Sequence, residues 1–326
     1  MIPLKIIYNV GLLFIMMIPG ILLKKCKLGS DGIGKGISNL VLYIAQPALI
    51  FLAYLRPYDQ KLLINSAYVL GISVVLHLIF SVVAMNMFKK APDAMRRMLR
   101  FATIFSNAAF MGIPLIAAVL EESFPGSTVY ASIYNITFNL FLWSLGVFIC
   151  TDKRDVNENG VEDDVEHIQQ KASPLKALYH PVTIAAFIGL LFFILPIEGY
   201  VPDIITEALT MMKNLVAPLS MVVIGYRLAD MKFGGIFKDK YMYIFLAMRN
   251  LILPLVTVGL VKLLSLVMPI AEEVALSLVI MAAAPAATSA TMFAEKYDCD
   301  ADYVSKLVTI STLLSIGTMP LILALM

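Results

Sequence analysis

The sequence has little charge for its length. Only 15% of its 326 residues are charged, whereas 60% are hydrophobic. A soluble domain carries about a quarter charged residues. The mean hydropathy is +0.85, and a net charge of +2 is too small to indicate a nucleic-acid partner. This composition excludes an ordinary soluble domain and predicts an integral protein of the lipid bilayer.

Residues that catalyse reactions or bind metals are also scarce. Cys26, Cys150 and Cys299 are far apart and odd in number, which favours free thiols over disulfides or a metal site. The sequence has no glycine-rich phosphate loop, no paired intramembrane aspartates, no Gly-x-Ser-x-Gly and no His-rich motif. We therefore expect neither an enzyme nor a resident cofactor or metal. The apolar stretch 6–23 lacks a small-residue cleavage site, so we expect a true span there.

The sequence does contain about ten apolar stretches close to the 20 residues that a membrane span needs. They cover roughly 4–23, 36–55, 62–88, 98–120, 128–150, 177–196, 206–229, 241–267, 273–295 and 303–325. We predict an all-α polytopic membrane protein whose residues 1–150 and 177–326 form two halves of five helices. The acidic segment 151–176 is interpreted as a solvated cytoplasmic linker, with a regulatory or partner-binding loop as the alternative.

Basic residues alternate from loop to loop. Lysines and arginines cluster after the first, third and seventh spans, whereas 121–127, 197–205 and 268–273 contain acidic residues and no basic ones. The positive-inside rule then makes the basic loops cytoplasmic and places both termini outside. We expect a multi-pass protein of the cell membrane, that is, an inner or plasma membrane.

The two halves share a few landmarks at one spacing. The differences 218 − 47, 227 − 56 and 285 − 114 all equal 171, for the pairs Pro47 and Pro218, Arg56 and Arg227, and Pro114 and Pro285. Because the first half has an odd number of spans, the second half enters the membrane from the opposite side. The spacing therefore predicts an inverted repeat, an architecture found in many secondary transporters.

Two spans are interrupted by proline. The fourth carries Asn107 near its middle and then Gly112 and Pro114, and the ninth carries Pro285 within a run of small residues. Proline removes a backbone donor, and broken helices at the midplane indicate a transporter's binding site. We expect the two breaks to cross, with Pro114 and Pro285 opening the second half-helices. The amides that follow each proline would attract an anion. Proline kinks between close-packed helices are the alternative.

The candidate substrate-binding residues lie beside these breaks or on neighbouring spans: Asn107, Gln46, Asn135, Pro114, Pro285, Ala286, Thr288 and Ser289. An amide such as that of Asn107 can donate to a carboxylate without the cost of a buried charge. Interhelical packing is the alternative role for Asn107 and Gln46, and the preferred one for Asn135.

Four further residues are predicted to be structural: Gly112, Pro47, Pro218 and Arg249. Arg249 is expected to reach the cytoplasmic headgroups. Supporting the crossing, or countering a substrate charge, is its alternative role. No aspartate or glutamate lies deep in a span, although proton and sodium antiporters usually need one there. This absence favours a carrier of organic anions.

The peptide Asn-Ala-Ala-Phe-Met-Gly-Ile-Pro at 107–114 resembles a motif of the auxin efflux carrier family. That family includes the plant PIN carriers and bacterial malate and malonate permease-like proteins. Further similarities are Ala-Gln-Pro at 45–47, Arg249 with Pro254, and Phe-Ala-Glu-Lys-Tyr at 293–297. Ala-Ala-Thr at 286–288, in place of the plant Gln-Gly pair, and the short linker are features of a bacterial-type member.

The resemblance implies ten helices in an inverted repeat of five plus five. Helices 1, 2, 6 and 7 would form a scaffold domain and a homodimer contact, and helices 3–5 and 8–10 a transport domain that moves like an elevator. Asn107 would contact a substrate carboxylate, with Pro114 and Pro285 at the crossover. We expect a secondary transporter of small organic anions. A sodium-coupled symporter and a non-transporting receptor or sensor are the alternatives, and coupling to Na⁺ or H⁺ stays open.

Overall fold

The structure is a computed structural model that describes residues 8, 11–28, 32–151, 175–195, 198–229 and 239–326. The predicted linker therefore lies almost wholly outside the described residues. In the described part of the chain every regular element is a helix, and one isolated antiparallel bridge joins Ser106 to Ala286.

Twelve helices of the described chain are numbered in order: α1 Ile18–Lys25, α2 Ile33–Tyr54, α3 Gln60–Asn86, α4 Asp93–Ile104, α5 Ala108–Val119, α6 Ser127–Thr151, α7 Pro181–Ile194, α8 Asp203–Leu228, α9 Lys240–Leu264, α10 Glu272–Ala283, α11 Ser289–Lys296 and α12 Ala301–Leu323. Six of them (α2, α3, α6, α8, α9 and α12) are long and apolar enough to cross a membrane, and α5 and α7 are shorter apolar helices. The predicted all-α polytopic class is confirmed. The count of ten spans and the inverted repeat remain predictions.

Three of the prolines inside the apolar helices sit just after widened turns. A five-residue π-helical turn precedes proline in three helices: Val41–Ala45 before Pro47 in α2, Ala108–Gly112 before Pro114 in α5, and Met248–Ile252 before Pro254 in α9. A π-turn accommodates the missing proline N–H and the clash of its ring with the preceding turn. These prolines therefore bend their helices without breaking them. Pro218 lies close to the irregular turn at 214–215 in α8.

The helices pack in two groups. The first, here called the scaffold group, pairs α1 with α8 and α2 with α7. The second, the crossover group, contains α3 to α6 and α9 to α12. The groups meet where α2 packs on α6 and α8 packs on α5, and the Tyr54 hydroxyl lies 3.0 Å from the Ser132 hydroxyl across this boundary. The division into a scaffold and a transport domain, and which of the two moves, stay predictions.

Glycine allows the closest contact in the scaffold group. A Cβ atom on Gly20 of α1 would lie 2.0 Å from the carbonyl oxygen of Val222, and one on Gly225 of α8 would lie 2.0 Å from that of Met17. Small residues let helix backbones approach closely in a membrane. The α1–α8 contact is therefore backbone against backbone.

Candidate functional site

The candidate site is the crossing of two interrupted helices. Between α4 and α5 residues 105–107 are not helical, and between α10 and α11 the same holds for 284–288. These two crossing segments run antiparallel and pair at Ser106 and Ala286. The predicted crossing of the fourth and ninth spans is thus present, formed by extended backbone at the centre of the crossover group.

Backbone hydrogen bonds hold the two crossing segments together. The Asn107 N–H donates to the Pro285 carbonyl at 2.7 Å, and the Ala287 N–H donates to the Phe105 carbonyl at 2.9 Å. In a membrane a freed backbone group must find a partner inside the protein. Each crossing segment supplies that partner for the other.

The crossing does not lie at Pro114, as expected from the sequence. Pro114 is inside the helical segment Ile113–Val119, seven residues beyond Asn107, or about 10 Å along a helix axis. Pro285 does lie in a crossing segment, as expected, but it does not open the second half-helix, because α11 begins at Ser289. The widened turn Ala108–Gly112 compensates for the backbone N–H that Pro114 lacks, so α5 continues through this proline. The interruption of the helix lies before α5, at residues 105–107.

For Ala286 and Ala287, the expectation that the amides after Pro285 are free is also wrong. The Ala286 N–H donates to the Ser311 hydroxyl at 3.1 Å, and the Ala287 N–H is bonded across the crossing. The residues that follow Pro114 belong to helix α5. The groups that remain available at the crossing are therefore mainly side chains.

The spacing of 171 residues between the two halves does not hold at the crossing. The crossing pairs Phe105 with Ala287 and Asn107 with Pro285, so the two segments correspond at 285 − 105 = 180. The helix caps agree: Asp59 begins α3 and Asp239 begins α9, each accepting a backbone N–H two residues on, and 239 − 59 is again 180. Pro114 and Pro285 are thus not equivalent positions. Asp59 follows Arg56 by three residues and Asp239 follows Arg227 by twelve, and this difference of nine accounts for the change from 171 to 180.

Arg249 supports the crossing from α9. Its side chain is 0% exposed, so the expectation that it reaches the headgroups is wrong. Its Nη1 donates to the Thr103 carbonyl at 3.1 Å and the Ile104 carbonyl at 3.4 Å, and its Nη2 donates to the Ala282 carbonyl. These carbonyls end α4 and α10, where the helix dipole is negative. Arg249 therefore caps both first half-helices at once, the supporting role that was its alternative.

A second polar support comes from Asn250 and α12. The Asn250 Nδ2 donates to the Ser311 carbonyl at 2.8 Å, and the Ser311 hydroxyl donates to Asn250 Oδ1 at 2.9 Å while accepting from the Ala286 N–H. All three residues are buried. One serine hydroxyl thus fixes a crossing segment to both α9 and α12.

Replacing Ser311 with alanine should destabilise the protein by about 1–3 kcal/mol, because the buried Ala286 N–H loses its acceptor. The change is measurable as a lower midpoint of thermal unfolding in detergent. Ser305→Ala, on the exposed face of α12, is the matched control and should leave the midpoint unchanged. Equal midpoints for the two variants would contradict the support assigned to Ser311.

Several polar side-chain atoms around the crossing have no hydrogen-bond partner among the described residues. They are Ser106 Oγ in the first crossing segment and, among the predicted site residues, Asn107 Nδ2, Gln46 Oε1, Asn135 Oδ1 and Ser289 Oγ. Asn107, Gln46 and Asn135 are at least 98% buried. Buried polar atoms without partners are rare and costly, so they indicate a site for a ligand or water. The structure thus leaves four of the predicted site residues with unused hydrogen-bonding capacity.

Gln46 joins the scaffold group to the crossing. Its Nε2 donates to the carbonyl of Ala109 in the first turn of α5, which fixes Oε1 as the unused acceptor. Gln46 therefore has the packing role, and its other atom is still available for a site. The role of Asn135 in binding remains a prediction, because Asn135 lies on α6 with only its Oδ1 known to lack a partner.

The start of α11 is held by the scaffold group. Arg227 of α8 donates from Nη1 to the carbonyl of Thr288 at 3.1 Å, and Ser289 opens α11. On the other side, Gly112 of α5 packs against Met281, whose sulfur would lie 2.6 Å from an added Cβ. Gly112 thus permits close packing of α5 on α10, in agreement with its predicted structural role.

Ser311, Asn250 and Arg227 were not among the predicted site residues. The tenth predicted span contains many hydroxyls, five of which are buried: Thr309, Ser311, Thr312, Ser315 and Thr318. Such a buried row of hydroxyls is a signal in the sequence for a polar support. Arg227 was noted only as a repeat landmark, and nothing in its sequence context indicates the Thr288 carbonyl.

The fold and the crossing define a multi-pass helical membrane protein built around interrupted helices, a class that contains many secondary transporters. Within this class, the chain belongs to the membrane transport protein family, whose family model matches residues 5–323. The match confirms the family resemblance over nearly the whole chain and fits a transporter, not an enzyme. A search among curated proteins finds no match.

Proposed function

We propose that the protein is a secondary transporter of small organic anions that binds a carboxylate at the crossing. The observation that carries this proposal is the Asn107 Nδ2 group, a donor that is buried in the crossing and has no partner among the described residues. Unused donors point to a ligand that accepts hydrogen bonds. A carboxylate is the common organic group that only accepts them.

The charges around the crossing support an anion. Each helix end carries about half an elementary charge, negative at the C-terminus and positive at the N-terminus. Arg249 covers the negative ends of α4 and α10, and the positive ends of α5 and α11 begin beside the same crossing. The buried residues of the described chain include no aspartate or glutamate. Together, the Arg249 charge and the helix N-termini make the electrostatic potential at the crossing positive.

The same contacts argue against a sodium ion at this position. The carbonyls that end the first half-helices are the groups that would coordinate a cation, and the guanidinium of Arg249 occupies three of them. A sodium-coupled mechanism would need other ligands. We therefore propose an anion carrier without assigning a coupling ion.

The proposed motion carries the whole crossing past the scaffold group. The crossing segments, Arg249 and Ser311 all belong to the crossover group and are bonded to one another. By contrast, the polar contacts to the scaffold group at the crossing are side-chain bonds from Gln46 and Arg227. These bonds can exchange as one body slides, as an elevator motion requires. A homodimer through the scaffold group, and a place in the cell membrane, complete the proposal.

Asn107→Ala should reduce carboxylate transport by at least about tenfold. A hydrogen bond to a charged group is worth about 1.5–3 kcal/mol, and each 1.4 kcal/mol is about a factor of ten. Uptake of labelled malate, malonate and indole-3-acetate into proteoliposomes measures the effect. Asn86→Ala is the control, because Asn86 is exposed and bonds only within its own helix, to the Val82 carbonyl.

Each outcome of this experiment decides between the functions considered. Unchanged transport of every wild-type substrate by the Asn107 variant would remove that residue from the site. Loss of wild-type uptake when choline replaces sodium would establish the sodium-coupled alternative. Binding of a carboxylate by purified protein, without flux across the bilayer, would identify a receptor or sensor.

A further inference from the structure

A second cavity lies between the two helix groups, away from the crossing. It has a volume of about 130 Å³, and its polar lining consists of Arg56, Glu121, Thr128 and Lys213. Ala117 of α5 also lines it, ten residues beyond Asn107. At 1.5 Å per residue this is about 15 Å along the helix axis. The cavity is therefore separate from the crossing and lies toward the end of α5.

The carboxylate in this cavity is already committed to its own chain segment. Glu121 Oε1 accepts the Gly126 N–H at 2.8 Å, and Oε2 accepts the Thr128 N–H at 2.8 Å and the Thr128 hydroxyl at 2.7 Å. These bonds cap the start of α6. Glu121 is thus held as a helix cap and does not form an ion pair with a cation of the described chain.

The two cations of the cavity come from the scaffold group and have no such partner. Arg56 follows α2 and Lys213 lies within α8, and both are half-buried. Neither side chain forms a hydrogen bond or ion pair with any part of the chain that the structure describes. Arg56, Lys213 and Glu121 together give the cavity lining a net charge of +1, and an anion that enters the cavity would balance it.

Arg227 shows how an arginine at the corresponding place behaves when it has a partner. It lies 171 residues after Arg56, the spacing that also relates Pro47 to Pro218. Arg227 donates to the Thr288 carbonyl beside the crossing. Arg56 faces a cavity instead of a carbonyl. The two arginines therefore differ in their surroundings: Arg227 has a carbonyl partner, and the side chain of Arg56 has none among the described residues.

We propose that Arg56 and Lys213 form an accessory binding subsite for the carboxylate of a small organic anion on its path to or from the crossing. The subsite deepens the proposed function and depends on it for the identity of the anion. On the predicted topology this end of α2 faces the outside. The volume equals about four water molecules at 30 Å³ each, which suits a small carboxylate.

Charge-selective labelling tests the subsite without relying on transport. Ala53, on the cavity wall, is changed to cysteine in a background with Cys26→Ser, since Cys26 is the exposed native thiol. The purified protein is treated with an anionic or a cationic methanethiosulfonate reagent. We expect the anionic reagent to react faster, and the ratio of the two rates to fall about tenfold when Arg56→Gln and Lys213→Gln are combined, because the local anion concentration follows the field.

The same glutamine variants are then measured in proteoliposomes. Each should raise the KM for anion uptake from this side several-fold, weaken its dependence on ionic strength and leave the maximal rate unchanged. Lys61→Gln is the matched control, since Lys61 is an exposed lysine at the neighbouring start of α3 and does not line the cavity. The Lys213 variant, assessed alone, keeps the test valid if the Arg56 variant does not fold.

The outcomes separate the two proposals. Equal labelling rates for both reagents, or a ratio that the glutamine variants do not change, would overturn the subsite whatever the transport result. A charge-selective ratio in a protein that carries no anion would support the subsite and overturn transport. A raised KM for uptake with the control unchanged would support both.

Discussion

Arg249→Met should lower the midpoint of thermal unfolding by about 10 °C or more and abolish transport. The change keeps the length of the side chain but leaves the carbonyls of Thr103, Ile104 and Ala282 without their donor. Each unsatisfied buried acceptor costs about 1–3 kcal/mol. At about 2–4 °C for each kcal/mol in a protein of roughly this size, three of them give the expected shift.

Two further variants test whether the effect arises because Arg249 caps the ends of both α4 and α10. Arg249→Lys keeps the charge, but a single ammonium cannot span the ends of α4 and α10, so an intermediate midpoint is expected. Arg96→Met removes an arginine that is paired only with Asp93 in its own helix, and it should cost at most about 1 kcal/mol. Fluorescence-detected unfolding in detergent measures all three. A methionine variant as stable as wild type would disprove the capping role of Arg249.

Gly225→Val should prevent the scaffold group from assembling. The first added carbon would lie 2.0 Å from the Met17 carbonyl oxygen and 2.8 Å from the Met17 carbonyl carbon. Both are backbone atoms, which cannot move aside as a side-chain tip can. Overpacking a core typically costs about 1–3 kcal/mol when side chains relax, and here the relaxation requires α1 to leave α8.

We expect the Gly225 variant to elute as aggregate in size-exclusion chromatography after extraction at temperatures where wild type is monodisperse. Gly259→Val is the matched control, because Gly259 is an exposed glycine of α9 with no atom within 4 Å of an added Cβ. A similar profile for both variants would show that α1 and α8 need not be in backbone contact.

The sequence was sufficient to predict the helical class and the interruption of the fourth and ninth spans. Both follow from local signals, namely apolar runs of spanning length and a polar residue near proline in such a run. Asn107, the residue favoured for its amide, indeed lies in the crossing. These features depend only on a residue and its near neighbours.

The features that were not predicted depend on distant partners. A proline indicates a missing donor, but the place of the break is decided by the pairing of Phe105 with Ala287 and of Asn107 with Pro285, which are 182 and 178 positions away along the chain. The acceptors of Arg249 lie 145 and 33 residues away along the chain. The sequence does not show that the helix ends carrying them lie beside Arg249, so the headgroups were the expected partner. The equal spacing of Pro114 and Pro285 is a coincidence of numbers, because the crossing segments and the helix caps correspond at a spacing of 180 and not of 171.

The bonds across the crossing also bear on how the chain is made. The first crossing segment and the end of α4 obtain their partners from Pro285, Ala287 and Arg249, all of which are synthesised after residue 240. Until then these backbone groups have no protein partner in the lipid, where water cannot replace it. The fourth span is therefore synthesised well before its partners, and its crossing segment stays incomplete while more than half of the chain is translated.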